Sequence, residues 1–169
     1  MLGETLEQIP AEKAGIIKPL TPVLCGPMPD GPRAVIFSRA AALKAPLLVS
    51  GQDYDVKEFV RTGYTGRCTL QVGSAMHAGV PLTSPAAFMA TNASHALMAY
   101  DVLRRRDLVP EIDAGEIARL FGEMELSACC EVLPGGPTIV LDGAHNAPAA
   151  ARLTAMLRTT FEGRRSVWL

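Results

Sequence analysis

A short β-branched run, Thr138-Ile139-Val140-Leu141, passes without a spacer into Asp142-Gly143-Ala144-His145-Asn146, and a helical stretch follows from about 147 to 161. Residues 166–169, Ser-Val-Trp-Leu, then begin another apolar strand. Strand, turn, helix and strand in that order predict a parallel βαβ unit with a right-handed crossover, which places the chain in the α/β class. A parallel sheet needs more strands than this piece holds. The expected organisation is therefore two domains, residues 1–131 and 132–169, with the second cut short.

Composition narrows the function. Of 169 residues 49% are apolar and 20% charged, enough for a packed core, and 16 basic against 17 acidic side chains leave a formal charge of −1. A protein that grips nucleic acid or a membrane surface carries a basic bias, which is absent here. The amino end, MLGETLEQIPAEKAG, is acidic and contains Pro10 where a signal peptide needs a basic start and an apolar run. No stretch reaches the roughly 18 apolar residues of a membrane span. Cys25, Cys68, Cys129 and Cys130 form no C-x-x-C pair. They read as reduced, small packing residues in a cytoplasmic protein.

Along the chain, Glu4 to Ala14 has helical composition interrupted by Pro10, and Gly15 ends it. Thr21 to Cys25 and Leu47 to Val49 read as short strands. Between them Arg33 to Lys44 reads as a helix with Val35, Ile36, Ala40 and Leu43 near one face, and Asp30 as its cap. Residues 51–80 predict short antiparallel strands around the Gly63-Tyr64-Thr65-Gly66 turn. A long helix is expected from about 86 to 105, with a core stripe of Met89, Ala93, Ala96, Leu97, Tyr100 and Leu103. Asp113 caps another helix running to about Met124.

Two strings carry chemistry. The first is Glu12-Lys13-Ala14-Gly15-Ile16-Ile17-Lys18-Pro19, which taken alone is a helix end whose lysine suits the dipole. The second is Asp142-Gly143-Ala144-His145-Asn146, at the carboxyl end of a strand where α/β proteins bind ligands. A plain strand-to-helix turn explains Gly143 and the capping Asn146, but less readily Asp142 and His145 together. Asn92, in Phe88-Met89-Ala90-Thr91-Asn92-Ala93, is unfavourable at mid-helix and otherwise reads as an exposed polar position. His77 and His95 lack partners at useful spacing and read as surface or core residues.

The longer string LGETLEQIPAEKAGIIKP resembles the motif of the folylpolyglutamate synthase and dihydrofolate synthase family, within the Mur ligase superfamily. The resemblance implies the latter part of a central ATPase domain, a mixed sheet with helices, followed by the first βαβ of a Rossmann-like carboxy-terminal domain. It also implies an ADP-forming amide ligase that joins L-glutamate to dihydropteroate or folate through an acyl phosphate, with ATP and magnesium. By the same resemblance Lys13 is carbamylated and serves metal and substrate. This chemistry favours a partly buried lysine with lowered pKa. Asp142 is similar to the family's ribose contact, His145 and Asn146 lie near the nucleotide, and Asn92 matches an asparagine that contacts ATP.

The departures are specific. Phe88 and Met89 stand at the family's His-Gln pair, and Ala147 precedes Pro148 where proline usually comes at once. Lining up Glu131 puts Ser127, Ala128 and Cys129 at a Pro-Gly-Arg whose arginine reaches phosphate, and a thiol cannot replace a guanidinium there. No G-x-x-x-x-G-K-[ST] string is present, so the phosphate cradle is missing from these residues. A metal-binding histidine of the family precedes its Leu-Gly, here Leu2-Gly3. The expected partners are small molecules and a separately encoded amino-terminal half. The competing readings are a peptidoglycan-type Mur ligase fragment and a catalytically silent remnant.

Overall fold

The computed structural model describes residues 8–168. In chain order it forms α1 (Gln8–Ala14), β1 (Val23–Cys25), α2 (Asp30–Ala42), β2 (Leu47–Val49), β3 (Tyr54–Thr62), β4 (Thr65–Val72) and β5 (Ala75–Leu82). There follow α3 (Ala87–Arg104), α4 (Ala114–Glu123), β6 (Cys129–Leu133), β7 (Ile139–Asp142) and α5 (Ala147–Thr160). Two compact units result. One holds the described residues up to 55 with 72–74 and 95–110; the other holds 56–71, 75–94 and those from 111 on.

In the first unit β1 and β2 pair in parallel, Val23 opposite Leu47 and Cys25 opposite Val49, with α2 as the crossover. Ala14, Ile17, Ala40 and Ala45 form a buried cluster against which Val23, Val35, Ile36, Leu43 and Leu47 pack. The apolar face read for α2 is thus the one buried. Two details differ from expectation. Asp30 is the first helical residue rather than the cap; Pro29 takes that place without a side-chain bond, and Asp30 pairs with Arg33. Pro10 lies within α1, which runs unbroken from Gln8 to Ala14 instead of parting at the proline. The piece expected amino-terminal to it, Glu4 onward, falls largely outside the described residues.

Tyr54, fully buried, closes this unit: its hydroxyl donates to the Cys25 carbonyl at 3.1 Å, and His95 packs edge-on against its ring at 5.1 Å. A Cβ at Gly26 would lie 2.5 Å from His95 Nε2, so the imidazole requires glycine there.

β3, β4 and β5 form one sheet in that order. Their two-residue links, Gly63-Tyr64 and Gly73-Ser74, are too short for a parallel crossover, so neighbours run antiparallel as expected. Both link glycines have positive φ, 60° and 56°. Gly66 faces inward, where a Cβ would meet Phe59 at 2.5 Å.

On α3 the buried stripe is rotated from the one read in the sequence. Met89, Ala90, Ala93, Ser94, Leu97, Met98 and Asp101 are buried, while Ala96 and Leu103 are exposed. The polar members satisfy themselves locally. Ser94 donates to the Thr91 carbonyl at 2.8 Å, and Asp101 is flanked by Arg104 at 2.9 Å and Arg105 at 2.7 Å. The Arg105 contact neutralises Oδ2 as an ion pair without an aligned hydrogen bond.

In the second unit Asp113 caps α4 as expected, accepting from the Glu116 amide at 2.8 Å. β6 and β7 pair antiparallel, with Val132 opposite Val140. The strand and helix of the expected βαβ form, β7 then α5. Residues 164–168 carry no strand, and Leu169 lies outside the described residues. The ladder that β7 makes is therefore with the preceding strand, not with a following one. Among the described residues no helix is long and apolar enough to cross a membrane.

Candidate functional site

The Asp142–Asn146 string is a loop held by hydrogen bonds within itself, to the β6 segment before it and to α5 after it. Asp142 ends β7, and its two carboxylate oxygens accept separate backbone hydrogens: Oδ1 from Ala144 at 2.8 Å and Oδ2 from Cys130 at 2.9 Å. The Gly143 amide donates to the Ala128 carbonyl at 2.7 Å. His145 Nδ1 sits 2.9 Å from the Gly143 carbonyl, an acceptor only, so Nδ1 is the donor in this contact and Nε2 is left for another partner. Asn146 Oδ1 caps α5 by accepting from the Ala149 amide at 3.0 Å. His145 and Asn146 are exposed, and Asp142 is half-buried.

The carboxylate binds this loop to an irregular segment that sequence reading missed. Cys129 faces Asp142 and Glu131 faces Leu141, so Cys130 is the extra residue of a bulge. Ala128 and Cys130 both adopt positive φ, 54° and 55°. The conformation at Ala128 is one that favours glycine, and position 128 is where the family motif has its glycine. Cys130 is buried with its sulfur 3.9 Å from that of Met156, while Cys129 is exposed. The packing role read for the cysteines thus fits Cys25, Cys68 and Cys130 but not Cys129. Burial raises the thiol pKa of all three buried cysteines, that of Cys68 to about 11.

Asn92 is exposed on α3, its amide 3.7 Å from the sulfur of Met89. One turn earlier, Phe88 carries the guanidinium of Arg152 from α5 at 5.8 Å from its ring centre. Asn92, Asp142, His145 and Asn146 all belong to the second unit, and the Phe88–Arg152 contact joins the helix of the first to the helix that the last three introduce.

Lys13 belongs to the first unit. It stands in the last turn of α1 and is exposed, so the partial burial expected of it is not found. The motif around it is a helix stop. Ala14 and Ile17 enter the core, the Gly15 amide donates to the Glu12 carbonyl at 3.0 Å, and a Cβ at Gly15 would lie 2.9 Å from that oxygen. An open groove of about 720 Å³ between α1 and α2 is lined by small residues, including Ala11, Ala14 and Ala42. Among the described residues no three His, Cys, Asp or Glu side chains converge on a point where a metal ion could sit. Leu2 and Gly3, the marker for the family's metal-binding histidine, lie outside the described residues.

No family model matches the sequence. A probable bifunctional folylpolyglutamate synthase/dihydropteroate synthase from Haloferax volcanii is 30% identical over 165 residues, covering 93% of this chain and 18% of the relative. The folylpolyglutamate synthase of Lacticaseibacillus casei is 28% identical over 163 residues, covering 95% of this chain and 37% of its own length. The chain therefore spans well under half of the curated relatives it matches. Among solved structures, an FPGS–AMPPCP–folate complex superposes with a TM-score of 0.90 at 25% identity, over 96% of this chain and 39% of that one. The apo form of L. casei FPGS gives 0.85 at 25% identity, over 96% and 39%. The fold so defined is mixed α/β of the Mur-ligase type, close to the carboxy-terminal part of those structures. The family that this chain resembles, in sequence and in structure alike, is that of the folylpolyglutamate synthases.

Proposed function

We propose that this chain is part of an ATP-dependent, ADP-forming ligase that adds L-glutamate to dihydropteroate or folate in the cytoplasm. The observation that supports it most is the close superposition on a folylpolyglutamate synthase bound to an ATP analogue and folate, joined to an ordered Asp142–Asn146 loop. In this reading a substrate carboxylate attacks the γ-phosphate of ATP, ADP leaves, and the glutamate amine displaces phosphate from the acyl phosphate. Asp142 and Asn92 position the nucleotide, with His145 and Asn146 beside it. The domain boundary falls near 131/132, between the ATPase part and the carboxy-terminal part.

Lys13, as a carbamate, organises substrate, and its exposure leaves the amine open to carbon dioxide. Magnesium would be held chiefly by the ATP phosphates and water with one or two protein oxygens, the Lys13 carbamate among them, and would offset phosphate charge; no step is derived through it.

The 169 residues contain no phosphate-loop string, so the grip on the triphosphate is assigned to residues other than these. Glutamate-dependent ADP release with dihydropteroate or folate is the test. The chain alone is expected to be silent and to gain turnover when a phosphate-loop-bearing half is supplied, and Lys13→Ala then removes most of it. Silence of the reconstituted pair, with both halves folded, favours the remnant reading instead.

A further inference from the structure

The second unit contains a cation to which no role has been given. Arg152 is exposed on α5, and its guanidinium lies over the Phe88 ring at 5.8 Å. Among the described residues no carboxylate pairs with it, whereas Arg33, Arg104, Arg105 and Arg119 each pair with an acid within four residues in the chain. An aromatic face holds a guanidinium through its π-cloud and leaves the N–H edge directed outward. That edge presents paired donors matched to phosphate oxygens, and the ring reduces the rotamer freedom lost when they engage.

Its position is set by two helices. Phe88 and Asn92, four residues apart, stack on one side of α3. Arg152 lies six residues, about 9 Å of helix, beyond the capping Asn146. The contact between Phe88 and Arg152 thus ties the part of α3 that carries Asn92 to α5, less than two turns from its capped start, and brings a positive charge there. Cys129, opposite Asp142 in the β6–β7 ladder, contributes no cation.

We propose that Arg152, held by Phe88, binds the phosphate groups of an adenine nucleotide seated at Asn92 and the Asp142–Asn146 loop. This rests on the nucleotide reading above. It assigns Arg152 a direct contact with the ligand and Phe88 a positioning role.

ADP and adenosine titrated into the whole 169-residue chain, followed by NMR, separate the two claims. Arg152→Ala is expected to weaken ADP about tenfold or more, the loss of a charge-assisted contact, and to leave adenosine unchanged. Arg152→Lys keeps the charge without the paired donors, and Phe88→Leu keeps the arginine without its support; both are expected to fall between. An Arg152→Ala chain that binds ADP as the parent does, or loses ADP and adenosine equally, overturns the role of Arg152 and leaves the nucleotide site standing. A parent chain that binds neither overturns both.

Discussion

Asp142 Oδ2 accepts the backbone hydrogen of Cys130 at 2.9 Å, while Oδ1 of the same carboxylate accepts that of Ala144 at 2.8 Å. One side chain thereby fastens the bulge of β6 to the loop that opens α5. Asp142→Asn replaces one acceptor oxygen by an NH2 group facing an N–H, so a backbone donor loses its partner. The expected cost is about 1–3 kcal/mol in urea denaturation. An unchanged midpoint shows that the loop holds without the carboxylate.

Ala128 provides the opposite case. Its φ of 54° costs an L-residue about 1–2 kcal/mol, against about 0.5–1 kcal/mol of extra chain entropy that glycine brings. Ala128→Gly should therefore stabilise by roughly 0.5–1 kcal/mol, a rise of a few degrees in Tm. A lower Tm means that the methyl group makes a contact of greater worth than the strain.

Alkaline pH probes buried groups in both units, Tyr54 in the first and Cys68 in the second. Burial raises the Tyr54 phenol to about 12, helped by the nearby Cys25 and Asp53, and burial alone raises Cys68 to about 11. In the unfolded chain these groups ionise near 10 and 8.5. The folded state therefore retains protons that the unfolded state has already released, and stability falls as pH rises, from about 8.5 to 11 for Cys68 and from about 10 to 12 for Tyr54. The Tyr54 contribution is on the order of 2 kcal/mol. Tyr54→Phe should flatten the slope above pH 10 while costing about 1 kcal/mol at neutral pH through the lost bond to the Cys25 carbonyl. A slope that persists in the phenylalanine variant assigns it to other groups.

What could be read from the sequence was what local chemistry decides. The Asn146 and Asp113 caps, the apolar face of α2, and the glycine turns of the β3–β5 sheet follow from side chains acting within a few residues. What escaped depends on partners distant in the chain. Ala96 and Leu103 read as core although both are exposed, because what packs on α3 from elsewhere in the chain decides which side is covered. The bulge at Cys130 has no local signal, because neither Ala128 nor Cys130 is a residue that favours positive φ. Alignment with the family motif was the one clue to position 128. The Phe88–Arg152 contact was invisible for the same reason, since 64 residues separate its members.

Asn146 belongs to both categories, and its variants separate fold from function. Its Oδ1 accepts from the Ala149 amide, so Asn146→Ala leaves an orphan donor at the start of α5 and should cost about 1 kcal/mol. Asn146→Asp restores an acceptor and adds a negative charge at the positive end of the helix dipole, so stability should return to the parent level or above it. If Asn146 stands beside a bound nucleotide, the same charge repels its phosphates. ADP titration should then show the aspartate variant weaker than the alanine variant, the reverse of their order in thermal melts. Matching orders in the two measurements reduce Asn146 to a helix cap and take it out of the nucleotide site.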